Sequence, residues 1–136
     1  MSAFQRRLLM LSSSKEESEP ILTADFSDLS LWEQNSMWSP NAPNTTTDYS
    51  GRCRNTTWFT VNPNNTYKVS IIGGNLSSNL GIRRYDANGS YLGLTQISKG
   101  TTTFTGTAGC GVFSLGTLDK YKTDVANGIK IKIESA

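Results

Sequence analysis

The sequence predicts an all-β domain: a single antiparallel β-sandwich, jelly-roll-like, preceded by a short N-terminal helical or extended arm. Three observations lead there. Sixteen Thr, 17 Ser and 11 Asn make up about a third of the 136 residues, beside 12 Gly and 10% aromatics, a mixture of β-branched strand formers and turn formers. Short runs of alternating apolar and polar residues recur roughly every 8–12 residues between turn signals, and no long segment keeps the period of a helix. The last of these runs, residues 128–134, sets Ile129, Ile131 and Ile133 on one side and Lys130, Lys132 and Glu134 on the other, the mark of a strand with one wet face.

The chain divides into an arm and tether over residues 1–20 and a sandwich over 21–136. Within the arm, Phe4, Leu8 and Leu11 share one face of a short helix by their spacing, with Arg6 and Arg7 off that face. So short a helix does not hold alone in water, and its apolar face needs a partner. That partner is either the chain's own domain or a groove on another subunit. Residues 12–20 hold four Ser, three Glu, one Lys and one Pro and read as a polar tether. The apolar run after the two arginines, Leu8 to Leu11, is shorter than the roughly 7–15 residues a signal peptide requires. The chain is therefore expected to be unprocessed and made in the cytoplasm.

In the sandwich, residues 21–26 and 29–33 are the first expected strands. Residues 38–45, with Pro40 and Pro43, read as a loop. Gly51 opens a strand signal that runs through Arg52–Arg54 and 58–61, and Pro63 sits in the turn that follows. Residues 66–72 place Tyr67, Val69 and Ile71 on one face, the clearest strand pattern in the chain. Residues 80–85 and 90–95 flank Asn88-Gly89, the strongest short hairpin signal. Residues 101–105 are β-branched, 106–111 read as a small-residue turn, and 112–116 as a strand. About eight strands are expected and no long helix.

Composition excludes several function classes. The chain has no His, hence no Ser-His-Asp or Cys-His machinery and no imidazole metal ligand. Thirteen Lys+Arg against 11 Asp+Glu leave a net charge of +2, too little for a protein that grips nucleic acid. No apolar run approaches the roughly 20 residues of a membrane span. Asp86 and Asn88 mimic the start of a calcium loop, but Gly89 falls in the wrong slot and Ile97 stands where the closing Glu belongs, so the turn reading is preferred. Asp25, Asp28, Glu33 and Asp48 show no spacing that marks a catalytic pair. No catalytic residue, metal ligand or cofactor is expected. Cys53 and Cys110 either bridge or fill two separate buried positions.

Trp32, Trp38, Trp58, Tyr49, Tyr85 and Tyr91 are the aromatics able to stack on apolar sugar faces. Trp32 and Trp58 are expected in the core. Trp38, in its Pro-rich loop, is the expected exposed aromatic, and Trp38 and Tyr49 are the candidate glycan contacts. Arg52 and Arg54 share a strand face, and Arg83 and Arg84 form the other basic cluster of the sandwich. They either form solvated faces or pair with acids of a neighbouring subunit, and the solvated reading is the one expected.

Three motifs in order carry a resemblance. They are Val61-Asn62-Pro63-Asn64-Asn65-Thr66-Tyr67, then Arg84-Tyr85-Asp86-Ala87-Asn88-Gly89-Ser90-Tyr91-Leu92, then Ser98-Lys99-Gly100-Thr101-Thr102-Thr103-Phe104. Together they resemble a small module, similar in architecture to carbohydrate-binding modules, in tail, baseplate and fibre proteins of bacteriophages and prophages. The opening Phe4-Gln5-Arg6-Arg7-Leu8-Leu9-Met10 is similar to the F-R-R-R-L-L-M start of small phage structural proteins. Gln5 departs from that pattern, as Asn64 departs from the usual Gly of the first motif. The resemblance covers most of residues 1–8 and about 50–115. It implies a non-enzymatic virion protein, a head or tail fibre or decoration subunit, docked on other virion proteins through Phe4, Arg6, Arg7, Leu8 and Leu11. It further implies a homo-oligomer, with a trimer expected, and a sandwich facing outward. Adhesion to host surface glycans is the alternative function.

Overall fold

The computed structural model describes residues 26–136. The arm and tether, with Phe4, Arg6, Arg7, Leu8 and Leu11, lie outside the described residues, as does most of the first expected strand. The strands are β1 (Trp32–Trp38), β2 (Thr46–Thr60), β3 (Thr66–Ile72), β4 (Leu80–Tyr85), β5 (Tyr91–Ile97), β6 (Gly100–Thr105), β7 (Gly109–Ser114) and β8 (Lys130–Ser135). They form two antiparallel sheets, ordered β1-β2-β7-β4-β5 and β6-β3-β8. The fold is the expected all-β sandwich. The interleaving of strands from both halves of the chain, β2-β7-β4-β5 over β6-β3-β8, follows the jelly roll, while β1 joins the β2 edge.

The core lies between the sheets. Tyr67, Val69 and Ile71 of β3, Phe104 of β6 and Ile133 of β8 meet Cys53, Leu80, Ile82, Cys110 and Val112 of the larger sheet. Alternation puts them there, and each aliphatic side chain so buried contributes about 1.5–3 kcal/mol. Trp32 belongs to this core as expected, its ring 4.3 Å from that of Tyr121.

Several elements differ from the sequence expectation. Residues 29–31 form a 3-10 turn capped by the Asp28 carboxylate, which accepts from Ser30 N at 3.0 Å, so the strand starts at Trp32. A helix, α1 (Leu118–Ala126), was not expected. Thr117 caps it, and Tyr121 and Asp124 are its buried residues. Asp124 accepts from the backbone N–H and hydroxyl of Ser77 at 2.9 and 2.6 Å, which fastens α1 to the loop before β4. Gly109 and Gly111 lie in β7, not in a turn.

Cys53 and Cys110 are free and fully buried. In the β2–β7 ladder Cys53 stands opposite Ser114, whereas Cys110 stands opposite Phe59. Four positions of β7 separate Cys110 from Ser114, about 13 Å, so no bridge is open to them. Burial pushes the Cys53 thiol up to about 11 and the Cys110 thiol up to about 12.

The β1–β2 ribbon is the feature that shapes the outer surface. Gln34 pairs with Cys53, but Ser36 pairs with Asp48, so the register breaks between them. Asn35 (φ 58°) and Gly51 (φ 87°) take left-handed backbone at this break, the conformation that Gly and Asn tolerate best. The ribbon kinks, and its tip, residues 36–48, folds back as a flap over the outer face of its own sheet. The contacts prove the fold-back. Arg83 Nε donates to the Trp38 carbonyl at 3.0 Å and the Tyr85 hydroxyl to the Ser39 carbonyl at 2.6 Å, although β2 and β7 stand between β1 and β4 in the sheet.

Candidate functional site

The flap and the sheet beneath it enclose a second apolar cluster of Met37, Trp38 and Phe113, with Trp58, Leu94 and Leu115 at its margin. Phe113 follows Val112 in β7 and so points to the opposite face. Two glycines make room above the strands. A Cβ on Gly111 would collide with the Trp38 ring, and one on Gly81 would lie 2.9 Å from the Phe113 ring.

This geometry overturns the expectation for Trp38. It is buried, 3% exposed, with its indole N–H donating to the Asn55 carbonyl at 3.1 Å and its ring 5.2 Å from that of Trp58. The Pro-rich segment beside it is part of the flap, and the flap turns Trp38 inward onto Gly111. Trp58, expected in the core, sits half-buried on the outer face with Trp38. Tyr49, the other candidate glycan contact, is 44% exposed, and Tyr91 is its counterpart at 40%.

Between these two tyrosines runs an unbroken chain of contacts. The Arg52 guanidinium lies 4.0 Å over the Tyr49 ring, and its Nη1 reaches the Met37 sulfur at 3.3 Å. Arg83 Nη2 approaches the same sulfur at 3.7 Å, and Arg83 Nη1 donates to the Tyr91 hydroxyl at 2.7 Å. Both guanidinium groups also lie over the Phe113 ring, at 5.9 and 5.1 Å. Aromatic faces attract such cations, which is how two like charges come to share one small patch. Burial raises the Tyr85 phenol above its ordinary value, Tyr91 adding to the effect and Arg83 opposing it.

The arginines therefore do not form the plain solvated faces expected of them. Arg83 and Arg54 are both buried, at 8% exposure. Arg54 is conventionally satisfied, paired to Glu33 at 2.9 Å and donating to the Ser36 hydroxyl at 3.0 Å. Arg52 and Arg83, in contrast, have no carboxylate at ion-pairing distance among the described residues. Arg84 turns to the other side of β4, donating to Thr107 Oγ1 at 3.1 Å, and its Nε is buried without a partner. Asp86 caps its own hairpin, accepting from Asn88 N and Ser90 N at 2.9 and 2.8 Å.

Among the described residues no three His, Cys, Asp or Glu side chains gather in a group able to hold a metal ion. No helix there is long and apolar enough to cross a membrane. Comparison with protein-family models, with curated proteins and with solved structures returns no match to this chain.

Proposed function

We propose that the chain is a non-enzymatic structural subunit of a phage virion, a fibre or decoration protein, held to other virion proteins through its N-terminal arm and presenting the sandwich as an adhesive module for host surface glycans. The observation that carries the adhesive part is the outer face of the five-stranded sheet, where exposed Tyr49 and Tyr91 flank Arg52, Met37 and Arg83 in one contact chain. Aromatic rings offer flat apolar surface to a sugar, while guanidinium groups offer directed donors. The flap and the sheet hold these groups in place before any ligand arrives, which lowers the ordering cost of binding.

What supports the virion part is the order of the motifs in residues 61–67, 84–92 and 98–104, together with the apolar face of Phe4, Leu8 and Leu11 ahead of a polar tether. The subunit works as a homo-oligomer on the particle, a trimer in this reading. Deleting residues 1–11 is expected to leave a folded sandwich that no longer joins particles, and incorporation of the truncated protein would overturn the docking role. Replacing Tyr49 and Tyr91 by Ala is expected to abolish retention on immobilised host surface glycans with the fold intact. Unchanged retention would overturn the adhesive role.

A further inference from the structure

The outer face carries an electrostatic imbalance that neutral sugar binding does not explain. Two guanidinium groups converge on one sulfur atom and one phenyl ring, and no described carboxylate neutralises either of them. Two cations this close repel, and the repulsion grows as water is excluded. Arg83 holds its charge at 8% exposure on a carbonyl, a phenol and a thioether alone. Arg54, on the same face, shows the ordinary solution, a carboxylate at 2.9 Å.

Arg52 adds a second and independent observation. Its only hydrogen bond within the described residues runs from Nη1 to the Met37 sulfur. The edge formed by Nε and Nη2 is uncommitted, and that edge matches the two oxygens of a carboxylate. Stacking on Tyr49 at 4.0 Å fixes the plane of the guanidinium. Arg52 is half-buried while Tyr49 is exposed beside it, so one ligand can reach the open edge and an aromatic face together.

We infer that this face recognises an acidic glycan, a sugar bearing a carboxylate that forks onto the open edge of Arg52 beside Tyr49, with the buried charge of Arg83 strengthening the site from below. The inference rests on the glycan-binding reading. It also gives the imbalance a purpose: the counter-charge that no described carboxylate supplies arrives with the ligand, and the cationic patch selects against sugars that bring none.

The test is calorimetric titration of the full chain with matched pairs. These are a glucuronate tetrasaccharide against its carboxyl-reduced glucose counterpart, and sialyllactose against lactose. At least one acidic member is expected to bind about tenfold more tightly than its neutral partner. Arg52→Gln, which keeps a polar planar group on Tyr49, is expected to remove that preference. Arg52→Lys, which keeps the charge but loses the fork, is expected to restore only part of it. Circular dichroism and melting temperature check that both variants fold. Equal binding of both members of each pair overturns the acidic-ligand inference and leaves glycan binding standing. Binding of neither member of either pair overturns both. Equally tight binding of a polyglutamate peptide overturns the inference in favour of an acidic protein partner.

Discussion

On the inner face of the five-stranded sheet, Cys53, Ile82, Cys110 and Val112 are buried by a second sheet and carry no charge. On its outer face, Phe113 is buried by a folded-back flap of the sheet's own first ribbon, and Arg52, Arg54 and Arg83 lie around it. The two faces alternate residue by residue along the same strands. The inner face is an apolar core with one cation at its margin, Arg84, whose guanidinium lies 5.7 Å over the Phe104 ring. The outer face trades part of that apolar content for fixed charge, which does not help the fold by itself, and no carboxylate among the described residues pairs with Arg52 or Arg83. A charge so placed points to a role outside folding.

The comparison breaks most visibly under truncation. Ile82→Ala on the inner face empties a fully buried position and is expected to cost about 3 kcal/mol, lowering the melting temperature by about 10 °C or more. Glycan binding in the surviving folded fraction should be unchanged. Gly111→Ala acts on the opposite face of the adjacent strand. Its Cβ collides with the Trp38 ring, and the flap must lift, at a cost of about 2 kcal/mol. Trp38 is then expected to gain water and shift its fluorescence to the red. The Met37 bridge between Arg52 and Arg83 loosens with it, so binding falls as well. A Gly111→Ala protein with unshifted fluorescence and full affinity would show that the flap does not shape the site.

Much of the core between the two sheets was legible in the sequence because its signal is local. Tyr67, Val69 and Ile71 alternate, and the three isoleucines of 129–133 do the same. Asn88-Gly89 marks its hairpin, with Gly89 at φ 80°. The outer face was not legible, because its determinants lie far apart in the chain. The burial of Trp38 depends on Gly111 in β7, and the flap depends on left-handed backbone at Asn35 and Gly51. A residue beside two prolines reads as exposed loop unless its landing site is known. The pair Gly109 and Gly111 in one strand was the available signal, since tryptophans fill the space that strand glycines leave open. Helix α1 escaped for another reason. Its apolar stripe of Leu118, Tyr121 and Val125 is short, and a buried carboxylate, Asp124, interrupts it. Tyr49 is exposed, with the Arg52 guanidinium stacked on its ring. Its partner Arg52 reads from sequence as one more strand arginine.

Alkaline titration separates the faces next. Both thiols lie inward, and burial pushes them up to about 11 and about 12. An unfolded thiol loses its proton near pH 8.5, so above that pH the unfolded chain binds fewer protons than the native one. Stability then falls with rising pH, by up to about 1.4 kcal/mol per unit for each thiol, until the native values are reached. Denaturant unfolding between pH 8 and pH 10.5 reads this slope. The double variant Cys53→Ala, Cys110→Ala is expected to flatten it. An unchanged slope in the double variant would place the alkaline loss on other groups.

The smallest expected change in stability is the most discriminating result. Arg83→Met keeps most of the side-chain volume and removes a buried charge that no described carboxylate balances. It also removes donors to the Trp38 carbonyl and the Tyr91 hydroxyl. Losing hydrogen bonds costs stability, while relief of charge burial and of repulsion with Arg52 returns it. The two effects are of similar size, so the net change is expected within about 1 kcal/mol. Affinity for the acidic oligosaccharide is expected to fall about tenfold, because the site loses half of its charge. A chain that folds as well without this cation and binds worse keeps the cation for the ligand. A loss of about 3 kcal/mol or more would instead make Arg83 the post that pins the flap. The cationic face would then be a consequence of how the ribbon folds back.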